Sequence, residues 1–304
     1  MLLCPICQSD STMVAYGVLA PWILELTHQD FVETNLLNCT TCEFTYFSHR
    51  FSDFELEKLY SEYRNDSYFT VRNKWEPWYR PSINNAYKGS STAVDVRVEF
   101  MTKIIKSTGC RRLGTVIDIG GDEGQFFPEI PTENRLVIDL SNKPLREGVS
   151  RISSLSEFVG DVEFIIAAHI LEHVNDPVNF VAELCDRLPK EGMLYLEVPL
   201  DLPKVREFHK KENYQRYLLK LSQKTRTRRV LVDFVTGLNR QFGRHIPHHG
   251  LVKESEHINY FSEKSLKIIL GKNGMTEVAL NSEPDAKTGG LRLGKLGILA
   301  KKLS

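Results

Sequence analysis

A strand-like segment that breaks into glycines, residues 114–127, constrains the fold of this chain more than any other feature. The run Thr115–Ile119 is rich in β-branched residues, as buried parallel strands are. Gly120, Gly121 and Gly124 follow directly. Because glycine tolerates backbone angles and close approaches that other residues do not, the segment predicts a strand, a tight turn under a bound nucleoside and a short helix. The spacing Asp-x-Gly-x-x-x-Gly differs from the Gly-x-Gly-x-x-Gly of dinucleotide binders.

A second apolar run ends in a carboxylate about twenty residues after the glycine turn, the distance typical of an acid that binds ribose. Residues 136–140 read Leu-Val-Ile-Asp-Leu, which places Asp139 at the end of a second strand. The alternative is that Asp139 only caps a helix, a role that Ser141 or Asn142 would serve equally well. The neighbouring glycine turn favours the ribose role.

A third apolar run, residues 162–168, continues into the motif His169-Ile-Leu-Glu-His173-Val-Asn-Asp-Pro177. Together with the glycine turn and Asp139, this motif resembles the class I S-adenosylmethionine-dependent methyltransferases, and the likeness extends from Ala93 to Leu303. It implies an α/β fold with a Rossmann-like sheet and helices on both faces. Later segments fit this expectation: a helix over 177–188, a fifth strand over 192–199, a helix ending at 273 and a closing strand over 297–302.

The same resemblance implies a binding site for S-adenosylmethionine. The residues expected to line it are Asp118, Gly120, Gly121, Gly124, Asp139, Ser154 and His169. The glycines would surround the methionine part, with Asp118 toward its amino group and Asp139 on the ribose. The third strand, around residues 148–155, lacks the acid that often contacts the adenine, so Ser153, Ser154 or backbone groups are expected to substitute for it.

Two Cys-x-x-Cys pairs near the N-terminus predict a zinc site. The thiolates of Cys4, Cys7, Cys39 and Cys42 would complete a closed tetrahedral site, so the Zn(II) would be structural and not catalytic. The alternative is two coincidental pairs of buried thiols. The predicted organisation is therefore a zinc-binding module over 1–50, an aromatic-rich helical linker region over 51–90 with a hinge at 82–91, and a methyltransferase domain over 91–304 with a basic insertion at 203–250.

The zinc module further resembles that of methyltransferases acting on nucleotide-linked deoxysugars or surface polysaccharides. In those relatives a Glu-His pair stands beside the acceptor, and Glu256-His257 matches it here. The resemblance makes His257 the first candidate for general base, with Glu256 orienting its ring or binding a sugar hydroxyl; His173 is the second candidate. The alternatives are that Glu256-His257 only caps the following helix, or that His245, His248, His249 and His257 bind a metal ion.

Charge narrows the choice of acceptor. The 39 basic and 39 acidic residues cancel, which argues against dedicated nucleic-acid binding. The sequence therefore predicts a cytoplasmic methyltransferase acting on a small molecule or glycan; the alternatives are an RNA methyltransferase and a noncatalytic zinc protein with a degenerate methyltransferase fold. The basic segment 204–229 is consistent with a solvated helix face, a lid over an anionic acceptor, or contact with an anionic membrane surface.

Overall fold

The computed structural model describes residues 3–10, 12–60, 63–77, 79–86, 91–140, 143–200, 202–203, 205, 212–241, 251–283 and 294–303. The chain divides into two compact units. The first comprises Met1–Cys4, Gln8–Lys88 and Leu202–Tyr260, and the second Pro5–Cys7, Gly89–Asp201 and Phe261–Ser304. This division differs from the predicted domain boundaries, because residues 202–260 group with the N-terminal segments and not with the methyltransferase motifs.

The first unit is built on a five-stranded sheet in the order β10-β3-β2-β1-β9. Its strands are β1 (Thr12–Leu19), β2 (Glu33–Cys39), β3 (Thr45–Phe47), β9 (Val252–Glu254) and β10 (Asn259–Tyr260). The pairings among β1, β2, β3 and β10 are antiparallel, whereas β9 pairs with β1 in parallel. Both edge strands come from the end of the 202–260 segment, so this segment completes the N-terminal sheet.

In the part of the first unit that the structure describes, six helices have defined bounds. They are α1 (Pro21–Leu26), α2 (Asp53–Tyr60), α3 (Asp66–Trp75), α4 (Pro81–Ala86), α7 (Glu212–Lys224) and α8 (Arg226–Gln241). α4 occupies the first half of the stretch predicted as a hinge, 82–91, and residues 87–90 lie outside the described residues. Pro81 opens this helix, where its fixed φ is favourable, and the buried Asn84 accepts a hydrogen bond from the Tyr79 hydroxyl at 2.9 Å.

The second unit carries the predicted Rossmann-like sheet, with seven strands in the order β11-β12-β8-β7-β4-β5-β6. The strands are β4 (Leu113–Ile119), β5 (Thr132–Ile138), β6 (Val149–Arg151), β7 (Phe164–Ala168), β8 (Met193–Pro199), β11 (Met275–Glu283) and β12 (Lys295–Lys302). The helices are α5 (Ser91–Ser107), α6 (Pro177–Arg187) and α9 (Glu263–Lys272). β6, β5, β4, β7 and β8 run parallel, and β12 and β11 are antiparallel to their neighbours. The α/β fold class is thus confirmed.

The second unit differs from the sequence prediction at two places. The short helix predicted after the glycines is a turn over 122–124 followed by irregular chain. Gly124 has φ +81° and Pro128 follows four residues later, and both features oppose helix formation. β11 was not predicted. It pairs with β12 along almost the full length of both strands.

None of the helices that the structure describes is long and apolar enough to cross a lipid bilayer.

Candidate functional site

The ends of three parallel strands form the first candidate site, in the second unit. Ile119 on β4 lies opposite Ile138 on β5 and Ala167 on β7. The residues that follow these positions therefore emerge at one edge of the sheet, the carboxyl edge, where α/β sheets bind ligands. This register brings the glycine turn, Asp139 and His169 together, as the sequence predicts.

The turn after β4 packs too tightly on its neighbours to carry side chains. Gly120 has φ +72°, and a Cβ there would lie 2.2 Å from Cδ1 of Ile170. A Cβ on Gly121 would lie 2.6 Å from Oδ2 of Asp118, and one on Gly124, at φ +81°, would lie 2.8 Å from Cγ1 of Val149. Glycine is required for space at all three positions, and at Gly120 and Gly124 also for the backbone angle. The turn is therefore packed closely on the end of β4 and on its neighbours.

Asp139 is tied to this turn. Its Oδ2 accepts the backbone N–H of Asp122 at 2.9 Å, and Lys143 forms an ion pair with Asp122 at 2.8 Å. Residues 143–148 contain no helix, so the alternative of a helix cap finds no helix there to cap. Asp139 lies where a strand-end carboxylate would meet the hydroxyls of a ribose.

Asp118 is a buried carboxylate with an unsatisfied oxygen. Asp118 is 2% exposed, and its Oδ2 has no hydrogen-bond partner among the described residues. Burial raises the pKa of Asp118 to about 7; Arg97 opposes this shift, and Asp139 adds to it. A buried acceptor without a donor calls for an explanation, and a cationic ligand group would supply one. The ammonium group of the methionine part of S-adenosylmethionine fits this requirement.

Arg97 and Phe126 form a part of the site that sequence reasoning missed. The guanidinium of Arg97, on α5, stacks over the Phe126 ring at 4.1 Å and donates to the carbonyl oxygen of Ala168 at 3.3 Å. With Ala168 and Glu197 these side chains line a small cavity. One signal was available, because Arg97 interrupts the apolar helical stripe that includes Val94 and would be out of place there without a buried partner.

His169 is fixed between two buried carboxylates. Its Nε2 lies 2.9 Å from Glu197 and its Nδ1 lies 3.2 Å from Glu172. Burial and Arg97 would lower the pKa of His169, but the two carboxylates outweigh them and raise it. Burial would raise the pKa of Glu197, whereas His169, Arg97 and Tyr195 bring it down to about 2. The ring of His169 is thus engaged in holding the loop after β7, and its contact with a cofactor stays a prediction.

Ser154 and His173 are the remaining residues predicted in the second unit. Ser154 is exposed, with its Oγ 2.9 Å from that of Ser156. His173 closes a turn, donating its backbone N–H to Ile170 at 2.9 Å. Neither position tests the role predicted for it.

A second candidate site lies in the first unit, around Glu256. This residue is 7% exposed, and it accepts a short hydrogen bond from the Tyr68 hydroxyl on Oε1. Arg72 donates to its Oε2 at 3.2 Å and also pairs with Glu76 at 3.1 Å. Both oxygens of Glu256 therefore bind α3, a contact that the sequence did not predict.

Aromatic rings enclose the Arg72 guanidinium. The Tyr79 ring lies 4.0 Å from it and the Trp22 ring 4.7 Å. The Tyr/Trp-rich composition of this segment is visible in the sequence, but the partner 184 residues away is not.

His257 follows Glu256 in the loop between β9 and β10. It is partly exposed, and its ring lies 6.4 Å from that of Tyr260, centroid to centroid. The alternative that Glu256-His257 caps α9 does not hold, because Ser262 is the N-cap and forms a capping box with Ser265. The other histidines of the alternative metal site, His245, His248 and His249, lie outside the described residues.

The four cysteines predicted to bind zinc come together. Each pair sits on a similar turn: Gln8 donates its N–H to the Cys4 carbonyl at 2.8 Å, and Glu43 donates to that of Cys39 at 2.8 Å. The four Sγ atoms lie within 4.8 Å of one another, with those of Cys4 and Cys42 at 3.6 Å. Tetrahedral zinc with four thiolates at about 2.3 Å requires sulfur–sulfur separations of about 3.8 Å. The donor set and spacing fit a structural Zn(II).

Comparisons with known proteins identify the family. The model of a family described as "Methyltransferase domain" matches residues 95–280. No curated protein sequence matches the chain.

Solved structures that resemble the chain do so weakly. Magnesium protoporphyrin IX methyltransferase from Synechocystis PCC 6803, with bound SAM, has a TM-score of 0.39 at 13% identity, covering 67% of this chain and 77% of its own. The N-methyltransferase NodS from Bradyrhizobium japonicum WM9 has a TM-score of 0.39 at 13% identity, covering 71% of this chain and 99% of its own. A methyltransferase from Bacillus halodurans C-125, described as putative, has a TM-score of 0.41 at 12% identity, covering 66% of this chain and 98% of its own. At these scores the likenesses carry no argument about the acceptor.

The cysteine geometry predicts one zinc ion per chain. Elemental analysis of freshly purified protein should find one equivalent of zinc, and the Cys42→Ser variant should lose it, because three thiolates leave the site incomplete. Cys110→Ser is the matched control and should keep its zinc, since Cys110 lies apart from the cluster. Wild-type protein without zinc, or a Cys42→Ser variant with a full equivalent, would contradict the assignment.

The raised pKa of Asp118 predicts a pH-dependent cost to stability. The folded state holds this proton more tightly than the unfolded state does, so ionisation of Asp118 destabilises the fold as the pH rises from about 4 to about 7. Above pH 7 the ionised carboxylate lowers the free energy of unfolding by a constant amount. For a pKa raised by about three units, this amount is at most about 4 kcal/mol. Asp118→Asn should therefore gain stability relative to wild type between pH 4 and 7, with a constant gain at higher pH. Urea unfolding at each pH measures this difference, and a gain independent of pH would contradict it.

Proposed function

Because the chain belongs to the methyltransferase-domain family and is an S-adenosylmethionine-dependent methyltransferase, we propose that it methylates an oxygen or carbon of a sugar. The acceptor would be a nucleotide-linked sugar or the end of a surface polysaccharide. The observation that carries the proposal is the placement of Glu256-His257. This dipeptide belongs to the unit that holds Cys39 and Cys42, and a buried ion pair with Arg72 fixes it there. A second unit with an anchored histidine suits acceptor binding and proton removal.

In this proposal the carboxyl edge of the Rossmann-like sheet holds the cofactor. Gly120 and Gly121 let the turn pass close over the strand end, Asp118 accepts the ammonium group of the methionine part, and Asp139 accepts the ribose hydroxyls. When bound, S-adenosylmethionine supplies a methyl group activated by a sulfonium leaving group. Because Asp118 is buried without a donor, an ammonium group at this position would lower its pKa and remove the cost of ionising it.

The proposed role of His257 is to accept the proton of the acceptor. Bound S-adenosylmethionine would supply the methyl group to the acceptor oxygen and leave as the neutral thioether, and a ring nitrogen of His257 would take up the hydroxyl proton. Imidazole is suited to this step because its ordinary pKa of about 6.5 lies near working pH. His173 is the alternative base.

In this mechanism Glu256 positions His257 through the backbone that joins the two residues. Tyr68 and Arg72 engage its two carboxylate oxygens, so we assign it the role of holding the neighbouring residue in place, in preference to binding a sugar hydroxyl. Its burial supports this role.

Loss of the proposed base should abolish turnover without loss of cofactor binding. Labelled S-adenosylmethionine with a panel of nucleotide sugars, oligosaccharides and RNA would identify the acceptor class. On the acceptor found, His257→Ala should lower kcat by at least about a hundredfold, the usual contribution of a general base, while calorimetry shows unchanged affinity for S-adenosylhomocysteine. His173→Ala is the competing variant. Near-normal turnover of His257→Ala would eliminate His257 as base, and transfer only to RNA would eliminate the sugar proposal.

Loss of the Asp139 carboxylate should weaken cofactor binding. Asp139→Ala removes the acceptor for the ribose hydroxyls, so the Kd for S-adenosylhomocysteine should rise at least about tenfold, which corresponds to about 1.4 kcal/mol. Asp161→Ala, an exposed acid in the same unit, serves as the matched control and should bind normally. Equal affinity of the Asp139 and Asp161 variants would refute the ribose assignment.

A further inference from the structure

The helical hairpin of α7 and α8 packs one face on the first unit. Leu218 and Leu219 of α7 join Val232 of α8 and Leu251 in one buried cluster. The Gln215 side chain accepts the backbone N–H of Tyr16, on β1, at 3.1 Å. These contacts define the inward face of each helix.

The opposite face of α8 is apolar and exposed. Val230, Leu231 and Phe234 are 44%, 60% and 60% exposed. With the exposed Thr227 they recur at helical spacing, on the side of α8 away from Val232. Three large apolar side chains grouped on one exposed stripe differ from the scattered apolar residues of ordinary surfaces.

The outward face of α7 is basic and aromatic. Tyr217 is 62% exposed, and Lys220 and Lys224 share its side of the helix. Neither lysine forms an ion pair with a carboxylate among the described residues. The hairpin, 212–241, has two acids, and both are engaged within the unit: Glu212 pairs with Arg216 at 2.6 Å, and Asp233 pairs with the buried Lys253. The outward surface is therefore apolar and positive.

The concentration of positive charge is local. The chain as a whole has a net charge of zero, whereas residues 212–241 contain seven Arg and Lys against Glu212 and Asp233. Basic side chains beside exposed aliphatic and aromatic ones are typical of helices that lie in the interface of an anionic bilayer, with the apolar face at the boundary of headgroups and acyl chains.

We propose that the outward face of α7 and α8, defined by Tyr217, Lys220, Lys224, Val230, Leu231 and Phe234, docks on an anionic lipid membrane surface. The aliphatic stripe of α8 favours lipid over RNA, because Val230 and Leu231 gain nothing from phosphates or from stacking on bases. The lysines of α7 would contact lipid phosphates while the apolar stripe enters the interface. This inference does not depend on the proposed acceptor or base.

Vesicle co-sedimentation of the full chain tests the proposal. Wild-type protein should bind vesicles of phosphatidylcholine with phosphatidylglycerol, bind pure phosphatidylcholine vesicles at least tenfold more weakly, and dissociate as salt rises. The double variants Lys220→Glu/Lys224→Glu and Leu231→Glu/Phe234→Glu should each reduce binding to the anionic vesicles at least about tenfold. Lys103→Glu/Lys106→Glu, the same charge change on exposed positions of α5, should retain binding.

Each alternative occupant gives a distinct result. No binding of wild type to anionic vesicles, or equal loss in the α5 control, overturns the proposal. Concentration-dependent dimerisation that Leu231→Glu/Phe234→Glu abolishes, without vesicle binding, would assign the surface to a second copy of the chain. Binding to RNA that both hairpin variants weaken, again without vesicle binding, would assign it to nucleic acid. Circular dichroism and S-adenosylhomocysteine affinity verify that every variant is folded.

Discussion

The cofactor site depends on the close packing of the turn where β4 ends. At Gly120 and Gly121 a single added carbon would collide with Ile170 or with the Asp118 carboxylate. The turn can therefore pass close over the strand end only without side chains, and the same closeness seals Asp118 from water. Its raised pKa is a consequence of this packing, since burial is the largest cause of the shift. The close course of the turn and a carboxylate in need of a cation thus arise from one constraint.

Buried acids in this protein fall into two electrostatic classes. Glu197 is as buried as Asp118, yet His169, Arg97 and Tyr195 hold its pKa near 2, far below that of Asp118. Glu197 is therefore satisfied by the protein alone, and it holds the loop after β7. Asp118 lacks a donor on Oδ2, so its partner must come from outside the described residues. A paired buried acid indicates a structural role, whereas an unpaired one at a strand end indicates a ligand.

The parts of the molecule that the sequence predicted are those encoded by local pattern. The glycine turn, the strand that ends in Asp139 and each cysteine pair depend on patterns within a few residues. The structure brings Asp139 to the glycine turn and the two cysteine pairs to each other. Contacts between distant segments were missed, because no local pattern specifies a partner: Arg97 meets Glu197 across a hundred residues, and Arg72 meets Glu256 across 184. For the same reason the strands β9 and β10, which are only three and two residues long, were not anticipated in the first unit.

The ion pair between Arg72 and Glu256 is better explained by positioning than by stability. Desolvating two charges costs several kcal/mol each, and a well-packed apolar pair in the same place is often as stable or more so. An apolar pair would not fix direction, however, whereas a carboxylate that binds both a guanidinium and the Tyr68 hydroxyl has one orientation. Stacking of Arg72 on Trp22 and Tyr79 removes the remaining freedom of the guanidinium. Because Glu256 directly precedes His257, an anchor of this kind fixes the backbone from which the proposed base extends.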